Sequence, residues 1–137
     1  ILRKLSKPMA IIANKCDTPK SAENLKLLRE RFPDILIFPT SSEAEVFLRT
    51  LAKNGVISYT PGENHFEVIK PESLDEKQKI GLKLIEEKIL KVYGSTGVQD
   101  ALNKVVFDLL KYIAIFPAGS KLADSKGNIL PDCFIAL

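Results

Sequence analysis

The chain has 137 residues, 45% of them hydrophobic and 27% charged, a composition typical of ordinary globular proteins and unlike that of disordered or membrane-spanning ones. Its formal net charge of +3 is spread along the chain, so it gives no ground for direct DNA binding. Cys16 and Cys133 are far apart and form no metal-type cluster, and neither a spanning apolar run nor a signal pattern occurs, which predicts a reduced, cytoplasmic protein.

Strands and helices alternate in the first part of the chain. Residues 7–13 form a short apolar run that predicts a buried parallel strand. Asp17-Thr18-Pro19 then predicts an N-cap and a first-turn proline for a helix over residues 23–30. A second buried strand over residues 35–39 precedes a helix over residues 43–53. This order of elements predicts a parallel α/β sheet.

A helix follows the turn-rich connection in the middle of the chain. Residues 66–69 predict a brief extended piece before it. Ser73 and Glu76, three residues apart, form a capping-box signature for a helix that reaches Gly94. The apolar positions at helical spacing in this helix are Ile80, Leu84, Ile85, Ile89 and Val92.

The segment after Gly97 has the strongest helical periodicity in the chain. Its apolar residues are predicted to form one broad face of a further helix. They are Val98, Ala101, Leu102, Val105, Val106, Leu109 and Leu110. From Ile113 the pattern changes to β, with short extended pieces at residues 114–116, 129–130 and 134–135.

A four-residue loop carries the clearest chemistry. Asn14-Lys15-Cys16-Asp17 matches the N-K-x-D pattern of GTPases and lies between a predicted strand and a predicted helix. The Asp17 carboxylate can accept hydrogen bonds from N1–H and the exocyclic amine of guanine, each contributing roughly 1.5–3 kcal/mol. Lys15 would lay its alkyl stem along the base, and Asn14 would brace neighbouring loops. The alternative is that this short pattern occurs by chance in a strand-to-helix turn.

A second loop follows the second predicted strand. Thr40-Ser41-Ser42 has the place of the S-A-x loop of GTPases, in which the middle backbone N–H donates to guanine O6, and Ser42 has the middle position. The alternative is N-capping, because Ser41 or Ser42 followed by Glu45 would cap a helix whatever its function. No catalytic or metal-binding residue is predicted. The predicted nucleotide-binding residues are Asn14, Lys15, Asp17, Ser41 and Ser42.

Several longer stretches are similar to the archaeal and eukaryotic Obg-like GTPases related to YchF. They are PTSSEAE at 39–45, YTPG at 59–62, LDEKQ at 74–78, YGSTGVQDALN at 93–103 and VFDLL at 106–110. Residues 121–132 resemble the first hairpin of the C-terminal TGS domain of those proteins. The resemblance implies an α/β fold with a partial P-loop GTPase parallel sheet and flanking helices, a helical insertion, and the start of a β-grasp TGS domain.

The resemblance also divides the chain and implies a function. Residues 1–55 correspond to the C-terminal part of the GTPase domain, residues 56–112 to a helical region with the closing helix, and residues 113–137 to an incomplete TGS domain. GTP is the implied ligand, because the base-reading loop has its guanine form, whereas YchF itself prefers ATP. The parent protein is expected to hydrolyse GTP, with Mg²⁺, in work linked to the ribosome or translation.

No phosphate-binding loop of the form G-x-x-x-x-G-K-[ST] occurs in the sequence. We therefore expect a fragment of a GTPase that is inactive by itself, since phosphates and Mg²⁺ supply most of the binding energy and the catalytic machinery. The rival interpretation is a non-enzymatic α/β interaction module with a coincidental N-K-x-D loop. Lysines between residues 77 and 91 are interleaved with glutamates, which favours a solvated helix face over a contact with ribosomal RNA.

Overall fold

The computed structural model describes residues 7–118, 127–129 and 133–136. The chain divides into two compact units, one up to Leu102 and one from Asn103. The predicted hairpin at residues 121–132 lies outside the described residues except for 127–129. The domain boundaries drawn from the resemblance stay predictions.

The first unit contains a parallel pair of strands, a short antiparallel pair and helices. Its strands are β1 (Ala10–Asn14), β2 (Leu36–Thr40), β3 (Ile57–Ser58) and β4 (Glu67–Val68). Its α-helices are α1 (Ser21–Arg31), α2 (Ser42–Lys53), α3 (Glu76–Ile85) and α4 (Lys91–Tyr93), and α5 (Val98–Asn103) runs into the second unit. The remaining helical pieces are a 3₁₀ turn (Pro71–Ser73) and a π-helical segment (Glu86–Leu90).

The parallel α/β architecture predicted from the order of elements is confirmed. β1 and β2 pair in parallel, with Ala10 opposite Leu36 and Asn14 opposite Thr40. α1 makes the crossover between them, since parallel strands cannot be joined by a tight hairpin. β3 and β4 pair in antiparallel fashion, and β4 confirms the brief extended piece expected at residues 66–69.

The predicted cap of α1 at Asp17 is wrong, because the helix begins at Ser21. The backbone N–H and the hydroxyl of Thr18 both donate to the Lys15 carbonyl oxygen, at 3.3 and 3.1 Å. The Ser21 hydroxyl donates to the carbonyl oxygens of Cys16 and Thr18, at 2.5 and 2.7 Å. These polar side chains therefore close a turn ahead of the helix instead of satisfying the helix end.

The capping box of α3 lies two residues downstream of its predicted position. Pro71 opens a 3₁₀ turn that includes Ser73, so the helix starts only after it and the predicted box of Ser73 with Glu76 is wrong. Instead, the Gln78 N–H donates to the Asp75 carboxylate at 2.7 Å, and the Asp75 N–H donates to the Gln78 side chain at 3.1 Å. This pair satisfies the N-cap and N3 backbone N–H groups of the helix, which are those of Asp75 and Gln78 and not those of Ser73 and Glu76.

The hydrophobic core of the first unit gathers around α2. Its buried residues are Ala44, Leu48, Leu51, Val56, Ile57, Leu74, Leu82, Ile85, Ile89 and Leu90. Fully burying one such aliphatic side chain contributes about 1.5–3 kcal/mol. The cluster continues from α2 through β3 to α3 and the π-helical segment, so the core is continuous across residue 55, where the resemblance places a domain boundary.

The buried face of the helix after Ser73 differs from the predicted apolar face. The buried positions are Leu82, Ile85, Ile89 and Leu90. The exposed positions are Ile80, Leu84 and Val92, which corrects the prediction for these three residues. For Val92 the cause is the π-helical segment before it, in which the chain advances more slowly around the helix axis than in an α-helix, so one 3.6-residue period does not hold across it. Ile80 and Leu84 precede that segment, and α3 buries Leu82 and Ile85 instead.

The second unit contains a π-helical segment (Lys104–Leu109) and two antiparallel strands, β5 (Ile113–Ile115) and β6 (Phe134–Ala136). The strands confirm the extended pieces predicted at residues 114–116 and 134–135. None of the residues that the structure describes in this unit is buried. The broad apolar face predicted after Gly97 is therefore not a core face, although Ala101 at its beginning is buried.

Candidate functional site

The two predicted loops lie side by side at one edge of the parallel pair. The N-K-C-D loop (residues 14–17) follows β1, and the T-S-S loop (residues 40–42) follows β2. The carboxyl ends of parallel strands meet at the same edge, which is where α/β proteins bind ligands. The Cys16 N–H donates to the Thr40 carbonyl oxygen at 3.0 Å and extends the strand pairing into the loops. The two loops thus form one continuous surface.

Asn14 connects the loops through its side-chain oxygen. Its Oδ1 accepts hydrogen bonds from the Ser42 N–H at 3.1 Å and from the Thr40 hydroxyl at 3.5 Å. The bracing contact predicted for Asn14 is therefore present. The Ser42 N–H was expected to be open to guanine O6, but it already donates to Asn14. A ligand oxygen at this position would have to share or replace the Asn14 acceptor.

Asp17 and Ser41 form the second link between the loops. The Ser41 hydroxyl donates to Asp17 Oδ1 at 3.1 Å. Ser41 is the N-cap residue of α2, but its side chain makes no capping hydrogen bond, so the interpretation of this hydroxyl as a helix cap is wrong. The first N–H of the helix goes to Asn14 instead. With one oxygen held by Ser41, the exposed Asp17 carboxylate still has lone pairs for two further donors.

Lys15 and Cys16 have opposite environments in the N-K-C-D loop. Lys15 is exposed and has a φ of 65°, a left-handed conformation that costs a non-glycine residue about 1 kcal/mol and is held by the hydrogen bonds from Thr18. Cys16 is only 6% exposed, and burial together with the negative charge of Asp17 raises the pKa of its thiol to about 11. The thiol stays protonated at neutral pH, so small size explains Cys16 better than redox chemistry.

Two open pockets flank the N-K-C-D loop. One of about 360 Å³ lies beside Asp17 and Ser41 and is otherwise walled by Phe47 of α2 and by residues of α3 and the π-helical segment. The other, of about 280 Å³, lies beside Asn14 and Lys15, between β1 and α1. The structure thus brings the predicted site residues to one surface but divides them between two concavities.

A buried carboxylate lies one turn into α2. Glu45 is only 4% exposed. Its hydrogen-bond donors are Arg49 Nε at 2.6 Å, the Tyr59 hydroxyl at 2.8 Å and the Thr96 hydroxyl at 2.5 Å. Burial opposes ionisation, but these donors outweigh it and hold the pKa of Glu45 below its usual 4.5. Burial next to this carboxylate raises the pKa of Tyr59 to about 12.

Residues 93–97 reach the two loops from a distant part of the chain. The Tyr93 hydroxyl donates to the Cys16 carbonyl oxygen at 3.2 Å. Gly97 lies against the backbone of β2, where a Cβ atom would come within 2.0 Å of the Pro39 carbonyl oxygen. Its φ of 77° is also in the left-handed region. Only glycine allows this close approach.

Sequence reasoning missed Glu45, Tyr59 and Thr96 as members of the site. Glu45 had a usable signal, since it follows Ala44 and precedes Leu48 by three residues, which places its carboxylate on the face that α2 turns to the core. Tyr59 and Thr96 had no comparable signal. Their bonds to Glu45 span 14 and 51 residues of sequence, and no local pattern reports such pairs.

In residues 7–118, 127–129 and 133–136 no three His, Cys, Asp or Glu residues come together in a way that could hold a metal ion. No helix of the same ranges has the length and apolar character needed to cross a bilayer. Cys16 and Cys133 are free thiols.

Known proteins resemble this chain over nearly its whole length. A GTP-binding protein of Methanocaldococcus jannaschii is 42% identical over 136 residues, which cover 98% of this chain and 34% of the relative. A GTP-binding protein of Schizosaccharomyces pombe is 35% identical over 138 residues, which cover 93% of this chain and 33% of the relative. The crystal structure of a GTP-binding protein from Pyrococcus horikoshii OT3 is similar with a TM-score of 0.58 and 37% identity, over 98% of this chain and 33% of that one.

The chain therefore spans about a third of the length of the relatives that it matches. The family description that matches residues 12–119 is that of the Obg-like GTPase YGR210-like, G4 motif-containing domain. This stretch includes the N-K-C-D loop, the T-S-S loop and residues 93–97. With its two loops at one edge of a parallel strand pair, the chain belongs to the YGR210-like family of Obg-like GTPases, in the domain that contains the G4 motif.

Proposed function

We propose that this chain recognises the guanine base of GTP within a longer GTP-binding protein. The observation that carries the proposal is the Asp17 carboxylate, which is exposed and held by the Ser41 hydroxyl at 3.1 Å. A carboxylate fixed in this way accepts from N1–H and the exocyclic amine of guanine without first losing side-chain freedom. Adenine presents no such pair of donors, so it would leave the carboxylate unpaired.

The other predicted residues have supporting parts in this proposal. Asn14 holds the T-S-S loop against the N-K-C-D loop by accepting from the Ser42 N–H at the start of α2, and guanine O6 would share or replace that bond. Lys15 is exposed in the N-K-C-D loop and lines the other pocket, so its alkyl stem would reach across the loop to cover a base held by Asp17. Ser41 positions the carboxylate. These residues are assigned roles in binding and none in catalysis.

The pocket beside Asp17 supports a planar, partly apolar ligand. It has a volume of about 360 Å³ and combines the Asp17 carboxylate with the Phe47 ring and with aliphatic side chains such as Leu84. A base needs a polar edge for recognition and apolar surface for its faces. Leu84 is exposed at this wall instead of packing into the core, which leaves its side chain available to a ligand.

The names of the relatives support GTP as the ligand, since all three are described as GTP-binding proteins. We assign the phosphates, Mg²⁺ and hydrolysis to the remainder of the parent protein, because the sequence contains no phosphate-binding loop. A kinship with YchF, a TGS domain beginning near residue 113, a link to the ribosome and a cytoplasmic location are further parts of this proposal. They rest on the sequence resemblance.

An exchange at Asp17 tests the base assignment in the full-length protein. Asp17→Asn replaces one acceptor oxygen by a donor, which suits the 2-oxo group of xanthine and repels the 2-amino group of guanine. We expect at least a tenfold loss of GDP affinity and a gain in affinity for xanthosine diphosphate, measured by calorimetric titration. Asp108→Asn in the second unit is the matched control and should leave both affinities unchanged. An unchanged nucleotide preference in Asp17→Asn would instead favour the interaction module.

The chain alone should bind GTP weakly, because base contacts without phosphate contacts supply only part of the affinity. We expect no heat of binding at micromolar GTP in calorimetric titration of the 137-residue chain. A micromolar affinity of this chain would show that it contains a phosphate site of its own, and would overturn the division of roles proposed above.

A further inference from the structure

Three separate segments of the chain, and not two, build the proposed guanine site. Residues 93–97, which we name the brace segment, contact both loops. The Tyr93 hydroxyl donates to the Cys16 carbonyl oxygen at 3.2 Å, next to Asp17 in the N-K-C-D loop. The Ser41 N–H donates to the Thr96 carbonyl oxygen at 2.9 Å in the T-S-S loop. The brace segment therefore touches the residue adjacent to the carboxylate and the residue that holds it.

The brace segment is itself anchored by Glu45. Thr96 has no exposed surface, and its hydroxyl donates to Glu45 Oε2 at 2.5 Å. Because Glu45 lies in the first turns of α2, this bond joins the brace segment to the helix that begins at Ser41 and Ser42. Among the described residues no buried side-chain oxygen or nitrogen lacks a hydrogen-bond partner, so the anchor is fully satisfied. Satisfied buried networks of this kind are rigid.

The backbone of the brace segment also has little room to shift. Gly97 lies so close to the Pro39 carbonyl oxygen that a Cβ atom would be only 2.0 Å from it. The Gly97 N–H donates to the Ser95 hydroxyl at 3.0 Å, and the Ser95 hydroxyl donates to the Asp100 carboxylate. The segment is thus held from both sides, by β2 and by the first turn of α5.

We propose that the brace segment sets the separation of the two base-reading loops, with Tyr93 and Thr96 as positioning residues for guanine recognition. This inference rests on the proposed function. Tyr93 and Thr96 act through the Cys16 and Ser41 backbones on the position of the Asp17 carboxylate. Hydrogen bonds weaken steeply with distance and angle, so a small displacement of that carboxylate reduces discrimination at the exocyclic amine of the base.

The test compares guanosine and inosine diphosphates in the full-length protein. Inosine lacks the exocyclic amine, so the ratio of the two dissociation constants measures the hydrogen bond to Asp17 alone. The ratio does not depend on the fraction of folded protein, so a general loss of stability leaves it unchanged. The variants are Tyr93→Phe, Thr96→Val and Thr96→Ser, with Tyr112→Phe as a control that removes a tyrosine hydroxyl outside the brace segment.

We expect Tyr93→Phe and Thr96→Val each to reduce the preference for guanosine over inosine by about threefold, as part of one charge-assisted hydrogen bond is lost. Thr96→Ser keeps the hydroxyl and should retain the wild-type ratio, as should Tyr112→Phe. An unchanged ratio in both Tyr93→Phe and Thr96→Val would overturn the positioning role and leave the proposed function standing. A wild-type protein without any preference for guanosine would instead overturn the proposed function itself.

Discussion

The apolar run at residues 98–110 has a stronger helical periodicity in sequence than α2, but its leucines are more exposed. In α2, Leu48 has no exposed surface and Leu51 is 3% exposed. In the later run, Leu102 is 54% exposed and Leu110 is 38% exposed. Both segments contain leucines at helical spacing, so intrinsic hydrophobicity does not explain the difference.

The difference shows that a hydrophobic stripe identifies which face of a helix is apolar but not whether another element covers it. α2 contacts β3, α3 and the π-helical segment through its buried residues, and it brings the T-S-S loop to the edge of the sheet. In the second unit the described residues reach partial burial at most. Equal substitutions in the two regions should therefore have unequal consequences.

The largest expected effect comes from truncating one leucine in each region. Leu48→Ala should lower the free energy of unfolding by about 3 kcal/mol, because it removes a fully buried side chain and leaves a cavity. Leu110→Ala should cost less than about 1 kcal/mol, since its side chain is partly in water already. Urea-induced unfolding monitored by circular dichroism measures both values. Equal losses in the two variants would contradict the difference in burial.

A smaller effect is expected from neutralising one carboxylate in each region. Glu45→Gln should destabilise the protein by about 2 kcal/mol, because a buried, charge-assisted set of hydrogen bonds is lost. Asp108→Asn removes an exposed ion pair with Lys104 at 3.5 Å and should cost less than about 0.5 kcal/mol. Thermal unfolding at neutral pH distinguishes the two. A Glu45→Gln protein as stable as the wild type would show that the network contributes no net stability.

Removing the cap at the corrected start of α3 should reduce stability by about half as much as Glu45→Gln does. Asp75→Ala should cost about 1 kcal/mol, because it removes the acceptor of the capping box. Ser73→Ala should be close to neutral, although the sequence pattern marks Ser73 as the cap. Unfolding in urea of the two single variants, measured side by side, decides between the two positions. A larger loss in Ser73→Ala than in Asp75→Ala would restore the sequence-based assignment.

The smallest expected effect is the loss of the stabilising contribution of Glu45 in acid, which does not occur at neutral pH. The folded-state pKa of Glu45 is lowered, so its stabilising contribution is fully present above the usual value of 4.5 and is lost as the pH falls through the lowered value. The stability difference between wild type and Glu45→Gln should thus be constant above pH 4.5 and shrink below it. Urea midpoints measured down to about pH 3 test this. A difference that stays constant over the whole range would exclude this carboxylate as a source of acid sensitivity.

Much of the fold followed from local patterns, but boundaries and caps did not. The strands around residues 10–14 and 36–40 and the helix that ends at Lys53 were predictable, because apolar runs and turn residues report them directly. The burial predicted for the first strand was wrong, since no residue of β1 is buried. The caps at Asp17 and Ser73 were wrong, because short polar side chains serve turns as readily as helix ends. The exposure of Val92 was unpredictable, since the π-helical segment before it changes the period without a sequence signal.

The guanine-type loop could be identified from Asn14-Lys15-Cys16-Asp17 and its place between a strand and a helix. The sequence by itself determined which side chains we propose for guanine recognition, since a carboxylate, an amide and a lysine have their hydrogen-bonding chemistry in any fold. Only the tertiary structure decided how they are held. The Ser41 bond to Asp17 and the Thr96 bond to Glu45 join residues 24 and 51 positions apart, and such contacts depend on how the segments pack.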